Sequence, residues 1–141
     1  MMNALPGDGW SNPYVGLAWQ RFGRGRDGVD CWGLAVLVYR EILGIALADH
    51  LEVPIEGGMA EAVDAIAAAD PWRRVETPRA FDVAVFRMGA LRRHVGIVAG
   101  GGRMLHVADG ELSSLAPLDG VRWRHRLLGY CRHAALMEAA R

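Results

Sequence analysis

The chain has 141 residues, of which 52% are hydrophobic, and its 16 basic and 16 acidic residues give a formal net charge of zero. That length predicts one domain, spanning residues 1–141, with enough residues to bury a sizeable core. The balanced charge argues against a general electrostatic attraction to nucleic acid or to an anionic membrane surface, and two cysteines are too few for a disulfide framework.

The first part of the chain is predicted to be mostly loop, with one short helix. Residues 1–12 are rich in turn residues and are expected to form an N-terminal extension. Asn12 followed by Pro13 favours the start of a helix, which we predict over residues 14–22. A loop of glycines and arginines at 23–28 follows, and it lacks the lysine and hydroxyl residue that end a phosphate-binding P-loop.

A buried helix is predicted from Cys31 to about Gly44, because apolar residues recur there at helical spacing. Asp30 is a favoured N-cap residue, so Cys31 would open the first turn. The unpaired backbone N–H groups and the helix dipole favour a thiolate at that position, whereas the neighbouring Asp30 carboxylate disfavours it. We therefore expect a protonated histidine, contributed from further along the chain, to complete the activation of the thiol.

The second half of the chain changes from helical spacing to short β-rich runs. An alanine-rich helix is predicted at 59–69 and a connector at 72–80. Glycine-bearing turns then separate predicted strands at 81–86, 94–99, 103–107, 112–118 and 127–133, and residues 134–141 form a C-terminal tail. Helices followed by an antiparallel sheet indicate an α+β fold.

Two histidines fall in neighbouring predicted strands. If residues 94–99 and 103–107 form a hairpin, position 94 lies near 107 or 108, so His94 and His106 are close along the ladder. Side chains alternate between the faces of a strand, so the register decides whether the two histidines share a face, and the sequence leaves the register open.

Cys31, His94 and His106 together form a candidate catalytic set. Cys31 would attack a carbonyl carbon, His94 would take the thiol proton and return it to the leaving amine, and His106 would orient the His94 ring. Taken singly, a cysteine in an apolar helix is ordinary core filling and a strand histidine is an ordinary half-buried polar residue. The combination of all three favours catalysis. An oxyanion hole would need the Cys31 backbone N–H and a second donor that the sequence does not identify.

Other side chains have weaker functional interpretations. Cys131 and His133 alternate on one predicted strand and could bind a metal with His125, but no second close pair of ligands supports a zinc site, so we expect neither metal nor cofactor. Trp19 and Trp32 flank the candidate site and are expected to bind substrate. Two arginine clusters have two open interpretations, a solvated face or contacts with carboxylates: Arg92-Arg93, and Arg122, Arg124 and Arg126 with His125.

No recognisable export or membrane signal is visible in the sequence. The first residues lack a basic segment followed by an apolar core, and no apolar run reaches the length of a membrane span. We therefore expect a chain that is made in the cytoplasm without a signal peptide and is not inserted in a membrane.

Three motifs resemble those of the NlpC/P60 cysteine peptidases. The run Asp30-Cys31-Trp32-Gly33-Leu34 resembles the family's Asp-Cys-Ser-Gly-Leu motif, residues 94–98 resemble its His-Val-Gly-Ile strand, and residues 104–108 resemble its later Met-Ile-His-Ala strand. The resemblance covers about residues 13–133. It implies a papain-like α+β fold with N-terminal helices packed on an antiparallel sheet, and hydrolysis of peptide bonds in the peptidoglycan stem. It also implies Cys31 as nucleophile, His94 as base and His106 as orienting residue.

Within that family, two features resemble the branch found in phage tails and gene transfer agents. These are Trp32 in place of serine and the helix ending at 39–45. This similarity implies a cell wall peptidase at the tail tip of a phage-like particle, with tail or baseplate hub proteins as partners. There it would open the wall locally for DNA entry.

Two departures from the family pattern bear on the prediction. Phe81-Asp82-Val83 replaces the common Gly-Asp-Leu, so the turn before that strand is expected to differ, and the aromatic Trp32 beside the nucleophile would narrow the cleft. Two other functions remain open. One is a structural tail-hub protein that keeps the peptidase fold without activity, and the other is an amidase or acyltransferase that uses the same three residues.

Overall fold

The structure is a computed structural model that describes residues 6, 7, 9–48, 71–89 and 92–137. It confirms the predicted α+β fold, since one α-helix packs against a six-stranded antiparallel sheet. The predicted helix at 59–69 lies outside the described residues, as do residues 1–5 of the extension and 138–141 of the tail. No helix in the described ranges is long and apolar enough to cross a membrane.

The helix predicted over residues 14–22 is wrong. The structure has a 3-10 turn at Asn12–Tyr14, and the residues that follow form turns at 15–16 and 21–22 on either side of a single bridge residue, Trp19. The backbone N–H of Gly16 donates to the Ser113 carbonyl at 2.9 Å, and that of Leu17 donates to the Ser113 hydroxyl at 2.8 Å. These tertiary hydrogen bonds replace the helical ones, and they bind the segment to a distant part of the chain.

The predicted helix from Cys31 is confirmed, and its last part is a π-helix, which is wider than an α-helix. A small hairpin of β1 (Arg24–Gly25) and β2 (Gly28–Val29) leads into α1 (Cys31–Val38), which continues as a π-helix at Tyr39–Leu43. Gly44 ends it in the left-handed conformation, with φ of 68°, which glycine adopts without steric cost. Every residue of α1 after Cys31 is buried, so the helix is apolar on all sides.

All five predicted strands are present, and a sixth joins them. The connector expected at 72–80 contains β3 (Trp72–Val75), an edge strand that pairs with β8. The sheet order is β3-β8-β4-β5-β6-β7, and every pair is antiparallel. The remaining strands are β4 (Val83–Met88), β5 (Arg92–Ala99), β6 (Arg103–His106), β7 (Ser114–Pro117) and β8 (Leu127–His133).

The sheet buries side chains on both faces, because neighbouring residues of a strand point to opposite sides. On one face, Val83 and Val85 of β4 join the main core with α1. On the other face, Ala84 and Phe86 join a second cluster under the loop between β7 and β8. The members of this second cluster are Ala84, Phe86, Val98, Met104, Leu118 and Trp123.

A buried ion pair joins the start of β4 to β8. The Arg132 guanidinium donates from Nε to Asp82 Oδ1 and from Nη2 to Asp82 Oδ2, both at 2.8 Å. Asp82 also accepts the backbone N–H of Arg79, and Arg132 also donates to the Thr77 carbonyl. The bidentate geometry satisfies both charged groups, so the pair fixes the turn that precedes β4.

In the turn before β4, Phe81 has a left-handed backbone conformation, which is uncommon for a residue other than glycine. Phe81 has φ of 74° and is fully buried. Its ring stacks on Trp10 with the centroids 4.3 Å apart, and its carbonyl accepts the Tyr39 hydroxyl. Burial of the aromatic ring offsets the backbone strain at Phe81, and β4 begins two residues later.

Candidate active site

The turn in front of Cys31 is held by its N-cap residue. Asp30 Oδ1 accepts the Gly33 backbone N–H at 2.7 Å and pairs with Arg24 at 2.8 Å, while its Oδ2 accepts the Phe22 N–H at 3.0 Å. Gly33 is required for a steric reason: a Cβ there would lie 1.8 Å from the Gly23 carbonyl oxygen. The Asp-Cys-x-Gly pattern therefore locks the loop onto the start of α1, with Cys31 at the first helical position.

The thiol of Cys31 is not activated by the helix start alone. Burial raises the pKa of the Cys31 thiol, and the negative charges of Asp30 and Asp109 raise it further. Hydrogen bonds from the backbone N–H groups of Val95 and Trp32 act in the opposite direction, and the net result is still a raised pKa. Deprotonation therefore needs a base, as the sequence indicated.

The two candidate histidines share one face of the sheet. The β5–β6 register pairs Ile97 with Leu105 and, continued along the ladder, sets His106 opposite Gly96. His94 and His106 are then diagonal neighbours, and both are buried. His94 Nε2 lies 2.9 Å from His106 Nδ1, so the register that the sequence left open brings the two rings into a hydrogen bond.

His106 has the properties of a neutral acceptor. Burial lowers its pKa to about 4, with a further lowering from the nearby Arg122 guanidinium. At neutral pH the ring is therefore uncharged, and with its proton on Nε2 it accepts the Nε2–H of His94 at Nδ1. In that tautomeric arrangement the hydrogen bond leaves His94 Nδ1 as the basic nitrogen.

A cleft of about 600 Å³ opens in front of Cys31 and His94. Trp19, Phe22 and Trp32 supply aromatic lining, and both arginines and carboxylates are among the other lining residues. The charged residues of the lining are Arg21, Arg93, Arg122, Asp30, Asp109 and Glu111. The cleft thus brings together four of the five residues selected from the sequence, and His106 supports His94 through its hydrogen bond.

The two tryptophans expected to bind substrate differ in whether their indole N–H groups already have a hydrogen-bond acceptor. Trp32 is only 7% exposed, its indole N–H donates to the Ala48 carbonyl at 2.8 Å, and its ring packs edgewise on Trp72. Among the described residues, Trp19 carries a buried indole N–H with no hydrogen-bond acceptor. Trp19 is one of the residues that line the cleft, although its indole nitrogen is itself buried.

Trp19 is set beside the nucleophile by the backbone. The Gln20 N–H donates to the Val29 carbonyl and the Val29 N–H donates to the Ala18 carbonyl, both at 3.0 Å. These two bonds form a parallel bridge between Trp19 and Val29, two positions before Cys31. A lone tryptophan in a loop gives no such information in the sequence, because the bridge depends on how the loop folds back.

The residues around the histidines include Trp123, which the sequence did not single out as part of the site. Trp123 stacks on His94 with the ring centroids 4.7 Å apart and the planes at 16°, and it meets His106 edgewise at 5.0 Å. Its neighbour Arg122 pairs with Glu111 at 3.1 Å on the rim of the cleft. The arginine-rich segment therefore contributes to the site through its tryptophan and through Arg122.

The possible metal ligands do not converge. Within the described part of the chain there is no group of three or more His, Cys, Asp or Glu residues that could hold a metal ion. Cys131 is fully buried in the main core, while His125 is exposed. His133 caps the following 3-10 turn through Nδ1 and packs against Trp72, so its role is structural.

The NlpC/P60 family model matches residues 16–132. Among solved structures, the NlpC/p60 domain of the peptidoglycan hydrolase SagA is 21% identical, with a TM-score of 0.57, over 86% of this chain and 91% of that one. An NLP/P60 family protein similar to a lipoprotein, from Staphylococcus aureus subsp. aureus Mu50, is 23% identical, with a TM-score of 0.63, over 88% of this chain.

An NlpC/P60 family protein from Bacillus cereus ATCC 10987 is 18% identical over 88% of this chain, with a TM-score of 0.65. The chain spans 39% of the staphylococcal protein's length and 38% of the Bacillus protein's length. No curated protein matches the sequence. The structural matches support the papain-like fold, and the family match covers most of the chain.

Proposed function

Because the chain belongs to the NlpC/P60 family, we propose that it is a cysteine peptidase that hydrolyses peptide bonds in the peptidoglycan stem. In this proposal Cys31 is the nucleophile, His94 the general base and acid, and His106 the residue that orients His94. One observation carries it: Cys31 and His94 line the same cleft, and His94 Nε2 is 2.9 Å from His106 Nδ1.

The first step transfers the thiol proton from Cys31 to His94 Nδ1, after which Sγ attacks the carbonyl carbon of the peptide bond. The raised pKa of the thiol makes this base necessary. The imidazolium that forms donates Nε2–H to the neutral His106, whose lowered pKa keeps it an acceptor. His106 thus stabilises charge as it develops on His94 without taking the proton.

The oxyanion of the tetrahedral intermediate needs two donors. The backbone N–H of Cys31 is one, because the first residue of a helix has no carbonyl four positions earlier to bind. We assign the second to the indole N–H of Trp19, the buried donor without an acceptor in the same cleft. Because this nitrogen is buried, the indole would have to turn toward the cleft to donate to the oxygen, where such a donor stabilises the developing negative charge.

Collapse of the intermediate breaks the C–N bond, and His94 returns its proton to the departing amine. A water molecule, deprotonated by His94, then attacks the thioester carbon, releasing the carboxylic acid and restoring the thiol. The arginines and carboxylates around the cleft suit a peptide that bears both free carboxylates and amines, as stem peptides do. Trp32 is only 7% exposed, so it contributes little contact area to substrate binding.

We also propose that the protein is made in the cytoplasm and acts at the tail tip of a phage-like particle, held by tail or baseplate hub proteins. The support is the resemblance of Trp32 and of residues 39–45 to the tail-associated branch of the family. Identification of this chain by mass spectrometry in purified particles, and its loss when tails are removed, is the expected result.

The deciding experiment compares cleavage of purified peptidoglycan by the wild type and by Cys31→Ala, with the products identified by mass. We expect stem-peptide fragments from the wild type alone. No fragments from either folded protein would support the structural tail-hub function instead. Release of whole stem peptides from the glycan would indicate an amidase, and transfer of the acyl group to an added amine would indicate an acyltransferase.

A further inference from the structure

Trp123 contacts both histidines of the proposed catalytic set. Its ring lies nearly parallel to that of His94, at 16° and 4.7 Å between centroids, and meets His106 edgewise at 82° and 5.0 Å. It is 2% exposed and belongs to the second core cluster, where Phe86 packs against it at 5.3 Å. The ring therefore covers one side of the His94–His106 hydrogen bond.

The loop that carries Trp123 is fixed at both ends. The Trp123 N–H donates to the Gly120 carbonyl at 3.1 Å, and its own carbonyl accepts the Arg126 N–H at 2.9 Å. The Arg126 carbonyl in turn accepts the Arg87 N–H of β4 at 2.8 Å. Because the loop is tied to the strand beside β5, the ring is held in register with His94.

We propose that Trp123 is a positioning residue that holds the His94 ring in its reactive plane and keeps water from the His94–His106 hydrogen bond. The inference rests on the proposed function, since it assigns Trp123 a part in activating Cys31. Parallel stacking fixes the ring plane, and the negative face of an indole favours a cation next to it. Trp123 would thus favour the imidazolium form of His94 that accompanies the Cys31 thiolate.

The charged groups around His94 are compatible with an effect of Trp123 on its imidazolium form. The titratable or charged groups around His94 are Cys31 on α1, His106 on β6, Asp109 and Glu111 after β6, Arg93 on β5 and Arg122 beside Trp123. Arg122 lies over the Trp123 ring, 4.9 Å from its centroid, and is paired with Glu111. The pairing with Glu111 partly offsets the charge of Arg122, and the indole face lies between Arg122 and the stacked His94 ring as a favourable contact for an imidazolium.

The test is the pH dependence of Cys31 alkylation by iodoacetamide in the wild type, Trp123→Phe and Trp123→Leu. For Trp123→Leu we expect the midpoint to rise by about one pH unit, which is roughly a tenfold slower reaction on the acidic limb, with a similar loss in kcat and little change in KM. Trp123→Phe keeps a stacking ring and should restore most of the wild-type profile.

Leu118→Ala is the matched control, because Leu118 is buried in the same core cluster and has no ring to stack on either histidine. It should lower stability while leaving the alkylation profile unchanged. A folded Trp123→Leu protein with the wild-type midpoint would overturn the inference, as would an equal shift in Leu118→Ala. Alkylation needs no substrate, so a wild type that cuts no peptidoglycan would contradict the proposed function alone.

Discussion

At the scale of single residues, the site depends on atoms whose properties are set by their neighbours. Cys31, His94 and His106 could be selected from the sequence because a cysteine at a helix start followed by two strand histidines favours catalysis as a combination, although each residue alone has an ordinary structural interpretation. Trp19 was expected to bind substrate, but the roles proposed for Trp19 as an oxyanion donor and for Trp123 as a positioning residue could not be predicted, because a buried N–H without an acceptor and a stacked ring arise only from tertiary packing. Residue chemistry is visible in a sequence, whereas positioning is not.

Replacing Trp19 tests the assigned oxyanion donor. Trp19→Phe removes the indole N–H and keeps most of the aromatic surface, so we expect kcat to fall by about 10² to 10³ with KM nearly unchanged. Steady-state hydrolysis of a purified muropeptide provides the measurement. Trp32→Phe is the control, because the Trp32 N–H is already bound to the Ala48 carbonyl. Equal losses in the two variants would argue against the assignment.

The lowered pKa of His106 predicts a dependence of stability on pH. Its pKa falls from 6.5 to about 4 on folding, so between these values the unfolded chain binds a proton that the folded chain excludes. The free energy of unfolding should therefore decrease as the pH falls from 6.5 towards 4. Below about pH 4 the protonated ring also loses the lone pair that accepts from His94, and thiol activation should stop.

Urea denaturation of the wild type and of His106→Gln between pH 4 and 7 measures this effect. The variant should show a flatter dependence on pH across that interval. The same substitution at the exposed His125 is the control and should leave the wild-type slope intact. An unchanged slope in His106→Gln would mean that other groups cause the acid sensitivity.

At the scale of secondary structure, the sequence was most informative where local pattern and tertiary environment agree. The long apolar run of α1 and the short run at 127–133 that follows a turn are local signals, and both elements are confirmed. The segment at 14–22 was misassigned because Ser113 supplies the backbone partners that a helix would have supplied internally. β3 was missed because an edge strand of four residues owes its conformation to a partner strand far along the chain.

Asp82, just before β4, and Arg132 of β8 form a buried ion pair, and we expect the contribution of each residue to stability to depend strongly on the other. Arg132→Met leaves the Asp82 carboxylate buried without its partner, so we expect the free energy of unfolding to fall by about 3–5 kcal/mol. Asp82→Asn should lower the free energy of unfolding by a similar amount. The double variant should lower it by clearly less than the sum of the two single losses. Urea denaturation of the three variants measures the coupling.

The exposed ion pair of Arg26 and Glu41 is the control for the substitutions in the buried ion pair. Arg26 and Glu41 are 49% and 33% exposed, so Arg26→Met should cost under about 1 kcal/mol. Additive losses from the two core substitutions would show that the buried carboxylate and guanidinium do not depend on each other.

At the scale of the whole molecule, one buried serine joins the N-terminal segment to the far end of the sheet. Ser113 Oγ donates to the Tyr14 carbonyl at 2.5 Å and accepts the Leu17 N–H at 2.8 Å. Ser113→Ala leaves both backbone groups without that partner, so we expect a loss of about 1–3 kcal/mol in the free energy of unfolding. Because the segment continues into Trp19, kcat should also fall.

Chemical denaturation and muropeptide hydrolysis test this prediction together. Ser114→Ala, at the exposed neighbouring position, is the control and should match the wild type in both assays. A Ser113→Ala protein with wild-type stability would show that other contacts hold the N-terminal segment.

The link through Ser113 also has a consequence for how the molecule folds. Ser113 and Tyr14 are 99 positions apart in the chain, and Asp82 and Arg132 are 50 apart. Contacts of such high sequence separation are slow to form, because the entropy of closing long loops is lost before any contact compensates it. The cysteine of a nascent or partly refolded chain therefore does not yet meet His94, its proposed base, and it remains an ordinary thiol until the strands that carry the histidines have closed the sheet.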